Sequence, residues 1–314
     1  MRVLVTGGSG FIGSHVVDRL RVHGVTPRIF DQRHSPWHQD VEHQIGSVLD
    51  LETLRIAMTA VDAVIHLAAV ADVKDVLQDP VYAENVNARG TLHVLEAARR
   101  SEVNRVIYAS TTWVYSDCEQ ESVNEETLIP PPRHLYTATK LAGESYCRAY
   151  SELYGLEHTI VRFGIPYGPR AREGAVIPIF VSKALRGEPL TLAGDGCQFR
   201  KFVYVEDLAE GTVLALKPRA KNRIYNLDGS ERISVLKIAE TIRDFLGDID
   251  IVHTEARPGD FPGKEIESRR ALEELGWEAV TPFKEGVQRY IQWYRQRESQ
   301  REEKWITVDP ILLK

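Results

Sequence analysis

The feature that most constrains this chain is its first turn. Val3-Leu4-Val5 is a short apolar run, and Thr6-Gly7-Gly8-Ser9-Gly10-Phe11-Ile12-Gly13 follows it directly, opening a segment of helical period over residues 11–23. Gly7, Gly10 and Gly13 have the spacing at which a strand turns tightly into a helix, a bound group can approach the backbone, and the helix can lie close on the strand. A helix that starts there offers unpaired N–H groups and an electropositive end, a seat for an anion. Strand, tight turn and helix are the first half of a βαβ unit, so a parallel sheet has to be built around them.

The rest of the first half continues that pattern. Residues 3–5, 27–30, 63–67, 105–109 and 159–163 read as strands, and 11–23, 51–58, 81–100 and 136–153 as helices. Several of the strands carry apolar residues on both sides, as a parallel strand buried on both faces must. The expected fold is therefore α/β, a doubly wound parallel sheet of Rossmann type. Pro and Gly punctuate residues 164–174, and a more mixed region follows, with helices expected over 177–186, 235–246 and 284–297 and a loop over 193–198. This region reads as a smaller α/β substrate-binding domain. The expected division is 1–165 for the cofactor domain, rejoined by about 202–228, and 166–201 with 229–314 for the second domain. Beyond Glu298 the tail is charged and then ends in Ile311-Leu312-Leu313.

Asp31 closes the second expected strand about 20 residues after the glycines, where a carboxylate can bind a ribose 2′-OH. A carboxylate there repels a 2′-phosphate, so the expected cofactor is NAD rather than NADP; Arg33, two residues on, is a mild signal the other way.

The net charge of −6 gives no basic surface on which to argue for nucleic acid or anionic lipid. Cys118, Cys147 and Cys197 form no CxxC pair, which argues against a zinc site or a disulfide framework. No metal is expected. The start is too quickly polar for a signal peptide and no stretch approaches a membrane span, so the expected location is cytoplasmic.

Tyr136-Thr137-Ala138-Thr139-Lys140 places a phenol and an ammonium four residues apart, on one face of the expected helix. With this pair added to the glycine turn, the chain resembles the extended short-chain dehydrogenase/reductases, and among them the nucleotide-sugar epimerases of the UDP-galactose 4-epimerase type. The similarity runs over residues 1 to 292. Thr6 to His15 is similar to the family's opening fingerprint, Asp50 to the acid that holds the adenine, His66-Leu67-Ala68-Ala69 to the segment beside the cofactor, and Asn87 to a cofactor-contacting asparagine. The resemblance thus implies cofactor contacts from Gly7, Gly10, Phe11, Ile12, Gly13 and Asp31, from Asp50 and Leu51, from Leu67, Ala68, Ala69 and Asn87, and from Ser110, Tyr136 and Lys140.

A free phenol has a pKa of about 10, too high for a good base at neutral pH. A neighbouring ammonium and a positive nicotinamide ring both favour phenolate, so Lys140 is expected to lower the pKa of Tyr136. Aligning Val114-Tyr115 with the family's Val-Tyr puts Thr111 where a Ser or Thr hydrogen-bonds the reacting hydroxyl; Ser110 is the neighbour that can be confused with it. Dehydratases of the family carry Asp-Glu in the next two positions, and decarboxylases keep the glutamate. Here those positions are Thr112 and Trp113, which cannot act as general acid or base. The resemblance then implies oxidation at C4 of a UDP-sugar, rotation of the 4-keto sugar, and re-reduction from the opposite face, with the NAD retained. A one-way ketoreductase or dehydrogenase shares the same triad and exchanges its cofactor each turnover. A non-catalytic NAD-binding regulator is the third reading, favoured only if the Tyr or Lys were missing.

On the substrate side, Arg200 resembles the loop arginine that holds the diphosphate, and Arg257 a second arginine on the same phosphates, for which a planar fork is suited. Two departures stand out: Ile165 replaces the family's nucleotide-binding asparagine, and Lys201 replaces the acid after the loop arginine. A homodimer is implied through helices around residues 84–100 and 140–153.

Overall fold

The computed structural model describes residues 1–255 and 263–308. Its strands are β1 (Arg2–Thr6), β2 (Thr26–Asp31), β3 (Glu42–Ile45), β4 (Ala63–His66), β5 (Arg105–Thr111), β6 (Ser122–Val123) and β7 (Glu157–Phe163). Then come β8 (Ile165–Tyr167), β9 (Leu190–Ala193), β10 (Phe199–Tyr204), β11 (Arg223–Leu227), β12 (Arg232–Ser234), β13 (Ile251–Thr254) and β14 (Glu265–Ile266). The α-helices are α1 (Phe11–Val22), α2 (Leu51–Ala57), α3 (Val73–Gln78), α4 (Pro80–Glu84) and α5 (Gly90–Arg100), followed by α6 (Leu135–Tyr154), α7 (Val176–Leu185), α8 (Val205–Leu214), α9 (Val235–Leu246) and α10 (Phe283–Val308).

The large sheet has the order β11-β7-β5-β4-β1-β2-β3, with every neighbouring pair parallel. Alternate residues of its strands feed two cores. Val3, Val5, Ile29, Ile65, Ile107 and Val161 face α1 and α8, whereas Leu4, Phe30, Val64, Val106, Tyr108 and Ile160 face α2, α5 and α6. Both faces are thus covered, which is why these strands read as continuous apolar runs.

Two features depart from the sequence reading. β3 was not expected: Glu-His-Gln-Ile is a polar edge strand, with one neighbour and little to bury, so it carries no apolar signal. The helix expected over 81–100 is interrupted by a π-helical turn at Asn85–Arg89 between α4 and α5. At the end of that turn Gly90 lies so close to Val48 that an added Cβ would stand 2.7 Å from its Cγ2.

β11 returns to the large sheet from late in the chain, while β10 pairs with β8 and β12 in a separate three-stranded sheet. A third core joins this sheet to α7, α9 and α10 through Phe180, Ile238, Tyr204, Phe283 and Tyr290. Among the described residues no helix is long and apolar enough to cross a membrane.

Candidate active site

Strand order reverses between β1 and β4, and at their carboxyl ends a cleft of about 700 Å³ opens. The turn after β1 forms its floor. Gly7 has φ +72°, and a Cβ on it would meet the Ala68 backbone nitrogen at 2.8 Å. A Cβ on Gly13 would lie 2.1 Å from the Gly7 carbonyl. Gly10 donates to that carbonyl at 3.1 Å and precedes α1, whose first turn has neither a side-chain cap nor an acid. The N–H groups of α1 are left facing the cleft, and Asp31 lines the same cleft while accepting from Ser9 N at 3.1 Å. These residues fit a dinucleotide, with the pyrophosphate over α1 and a ribose at Asp31.

The opposite lip is held by a buried hydrogen-bond chain. Thr6 donates to Nδ1 of His66 at 2.7 Å, His66 Nε2 donates to Thr91 at 3.0 Å, and Thr91 donates to the Asn87 carbonyl at 2.6 Å; this donor order fixes the tautomer. Burial pulls His66 down to about 3, so it is neutral at physiological pH. Leu67, Ala68 and Ala69 line the cleft beside it, with Phe11 and Ile12.

The structure places three of the expected cofactor contacts outside the cleft wall. Asp50 is exposed and caps α2, accepting from Glu52 N, Thr53 N and the Thr53 hydroxyl, and Leu51 packs into the core below. The cleft wall near them is made by Gly46 and Val48. Asn87 is buried, with its side chain exchanging hydrogen bonds with Val70 N (2.8 Å) and Val70 O (3.0 Å) and donating to Thr139 at 3.2 Å. It fixes the loop that carries Val70, and Val70, not Asn87, lines the cleft.

Thr111, Tyr136 and Lys140 meet on the far wall. Thr111 ends β5, Tyr136 and Lys140 are one turn apart on α6, and Lys140 Nζ donates to the Ala109 carbonyl at 2.9 Å and stands 6.0 Å from the Tyr136 ring centre. The expected lowering of Tyr136 by Lys140 does not appear. Burial pushes the phenol up to about 12, and the cation that opposes this is Arg172; burial likewise draws Lys140 down to about 8. Arg172 lines the cleft and is paired with Asp72 at 2.8 Å. Nothing in the Pro/Gly-rich stretch around it singled it out. Ser110 also lines the cleft, but its hydroxyl is engaged behind the wall, donating to Glu144 at 2.6 Å.

On the substrate side the cleft is apolar: Trp113, Ile165 and Pro166 line it. Arg200 lies on β10, with Nη1 donating to the Phe199 carbonyl at 2.7 Å, and is not among the residues that line the cleft. Lys201 is ion-paired with Glu265 of β14, which also pairs with Arg232 at 2.8 Å. Arg257 lies outside the described residues.

Glycine cradle, ribose carboxylate and a Tyr–Lys pair in one cleft define a dinucleotide-dependent enzyme of the Rossmann type. The chain belongs to the NAD-dependent epimerase/dehydratase family, whose model matches residues 3–228, and NAD is its cofactor. It is 33% identical over 304 residues to a putative UDP-glucose 4-epimerase of Methanocaldococcus jannaschii, covering 93% of this chain and 98% of that one. It is 32% identical over 305 residues to UDP-glucuronic acid decarboxylase 1 of Xenopus tropicalis, covering 94% and 72%. The crystal structure of UDP-glucose 4-epimerase from Thermus thermophilus in complex with NAD superposes with a TM-score of 0.85 at 32% identity, covering 94% of this chain and 99% of that chain.

Proposed function

We propose that the protein is a UDP-sugar epimerase that inverts C4 through a transient 4-keto sugar. The observation that carries this reading is that Thr111, Tyr136 and Lys140 line one cleft, while the two positions after the threonine are a buried Thr112 and a Trp113 that lines the same cleft. Eliminating water needs a general acid and base there, and the related decarboxylases keep a glutamate at the second position; a hydroxyl and an indole supply neither. Oxidation and re-reduction need only a base, a hydroxyl to orient the sugar oxygen, and the cofactor.

In this reading Tyr136 takes the proton of the sugar 4-OH and later returns it, while Thr111 orients the 4-oxygen. NAD, when bound, takes up and gives back the hydride. Burial opposes the phenolate, so Arg172, the Lys140 ammonium and the positive ring of NAD together have to favour it. A UDP-sugar substrate is supported by the names of all three relatives above. A homodimer through α5 and α6, which pack against each other in the fold, belongs to the same proposal.

A second reading, a ketoreductase that exchanges its cofactor, is favoured by the apolar wall of Trp113, Ile165 and Pro166. Two measurements separate them: the nucleotide released from denatured protein, and the C4 proton of UDP-glucose or UDP-galactose followed by NMR with native enzyme. Retained NAD and interconversion of the two sugars are expected. Retained NAD without isomerisation of several nucleotide sugars, together with net NADH oxidation by ketones, would overturn the epimerase reading. Tyr136→Phe is expected to lower turnover on the order of 100- to 10,000-fold while leaving NAD bound; an active variant would remove Tyr136 from this role.

A further inference from the structure

Behind the triad lies a buried polar chain that the reaction as described does not use. Glu144 stands on α6 one turn beyond Lys140 and two beyond Tyr136, so the three share a helix face. Glu144 is 2% exposed and Arg162, on β7, is 1% exposed. Arg162 grips both carboxylate oxygens, Nε to Oε1 at 2.9 Å and Nη2 to Oε2 at 2.8 Å. Ser110 of β5 donates to Oε1 at 2.6 Å. On its other side Arg162 donates through Nη1 to the Tyr115 hydroxyl at 2.6 Å, which in turn donates to Asn226 Oδ1 of β11 at 2.9 Å.

A buried ion pair is a poor source of stability, because desolvation offsets most of its attraction and an apolar pair of the same volume serves as well. What a bidentate fork adds is geometry. The parts this fork fixes are those the reaction needs. Ser110 lies between Ala109, whose carbonyl receives Lys140, and Thr111. Tyr115 closes the 3-10 turn Thr112–Tyr115 that carries Trp113. Between α6 and β5 there are also the Tyr108 hydroxyl on the Lys140 carbonyl at 3.2 Å, the Lys140–Ala109 bond, and Gly143 pressed against the Tyr108 ring; the fork adds the link that ties α6 to β7 as well.

We propose that Glu144 and Arg162 are positioning residues, locking α6 against β5 and β7 so that the Tyr136 phenol and the Thr111 hydroxyl face the same substrate oxygen. The proposal rests on the assigned roles of Tyr136, Lys140 and Thr111, and the wild-type epimerisation assay tests those roles separately. Removing Glu144 alone strands Arg162 in the interior, and removing Arg162 alone leaves Glu144 with only the Arg148 cation, at 3.9 Å, so the informative variant is the double Glu144→Met/Arg162→Met, which removes both at similar volume. Tyr115→Phe interrupts the far end of the chain without burying an unpaired charge.

The readouts are the thermal midpoint, kcat and KM for the UDP-sugar, and the ultraviolet titration of the Tyr136 phenol, obtained by subtracting Tyr136→Phe in the same background. The double variant is expected to keep the fold, to lose kcat by roughly 10- to 100-fold with KM little changed, and to shift the Tyr136 titration. Tyr115→Phe is expected to show a smaller loss of the same kind. A folded double variant with wild-type kcat and an unmoved titration would overturn the proposal. If the double variant does not fold, wild-type kcat and titration in Tyr115→Phe would overturn it instead. The titration needs no substrate, so it decides the point even if the wild-type protein epimerises nothing.

Discussion

On one side of the cleft Gly7, Gly10 and Gly13 shape the wall with bare backbone; on the other, Trp113, Ile165 and Pro166 shape it with side chains. The backbone side is over-determined. A Cβ at Gly7 or Gly13 collides with main-chain atoms that have no room to move, and α1 can begin only where the turn delivers it. The side-chain side is made by residues from β5, β8 and the turn after β5, and each of them can be exchanged without rebuilding the sheet. A fold can therefore keep its cofactor while its substrate wall changes.

The largest effect expected from that contrast is on the backbone side. In Gly13→Ala the new methyl would stand 2.1 Å from the Gly7 carbonyl oxygen and 2.8 Å from Gly8 Cα, so the turn has to open. Overpacking of this kind costs about 1–3 kcal/mol, or on the order of 10- to 100-fold in affinity. Calorimetric titration with NAD is expected to show that weakening together with a lower melting temperature. Wild-type NAD affinity in Gly13→Ala would break the claim that backbone contact defines this wall.

A smaller and differently directed effect is expected across the cleft. Trp113 is 38% exposed and touches His134 edge-on, with ring centres 5.7 Å apart. Trp113→Ala removes part of the apolar wall, worth about 1 kcal/mol if the sugar covers it, and so is expected to raise KM for the UDP-sugar by about fivefold. Retention of NAD is expected to stay as in the wild type. Loss of NAD from this variant would show that the two walls are not independent.

The same contrast explains what the sequence disclosed. The glycine turn, Asp31 and the Tyr136–Lys140 spacing are local patterns, and local geometry is what a sequence encodes in adjacent letters. Asp50 is less legible, because an acid just before a helix has an ordinary use as its cap, and the structure shows that use here. Asn87 was legible as an important side chain but not as one that grips Val70 from behind the wall. Glu144 and Arg162 gave only faint signs, an acid on the buried face of α6 and a charge inside an apolar strand. Their meeting depends on β7 lying beside β5, which no local pattern states. A second cation near Tyr136 was missed for a similar reason, since Arg172 arrives from a loop far along the chain.

At Gly164, which lines the cleft beside Ile165, the effect expected is on stability rather than on binding. Asp228, just after β11, is 4% exposed, and its Oδ1 has no partner; it sits where a Gly164 Cβ would be only 2.0 Å away. Burial pushes this carboxyl from 3.8 up to about 7, only partly opposed by the Gly229 N–H and by Lys201. An acid whose pKa is raised in the fold favours the protonated state, so its contribution to stability is full below about pH 4 and is lost as pH rises toward 7. His15, His66 and His158, drawn down by burial to about 4, 3 and 4, act in the opposite sense and cost stability as pH falls below about 6.5. The wild-type curve alone mixes the two, so the difference between Asp228→Asn and wild type isolates the carboxylate. In thermal melts that difference is expected to be near zero at pH 4, to grow between pH 4 and 7 in favour of the asparagine, and to level off above, at about 2–4 °C for each kcal/mol recovered. A difference that ignores pH would mean that Asp228 titrates in the fold as it does in the unfolded chain, so that its burial beside Gly164 does not perturb it.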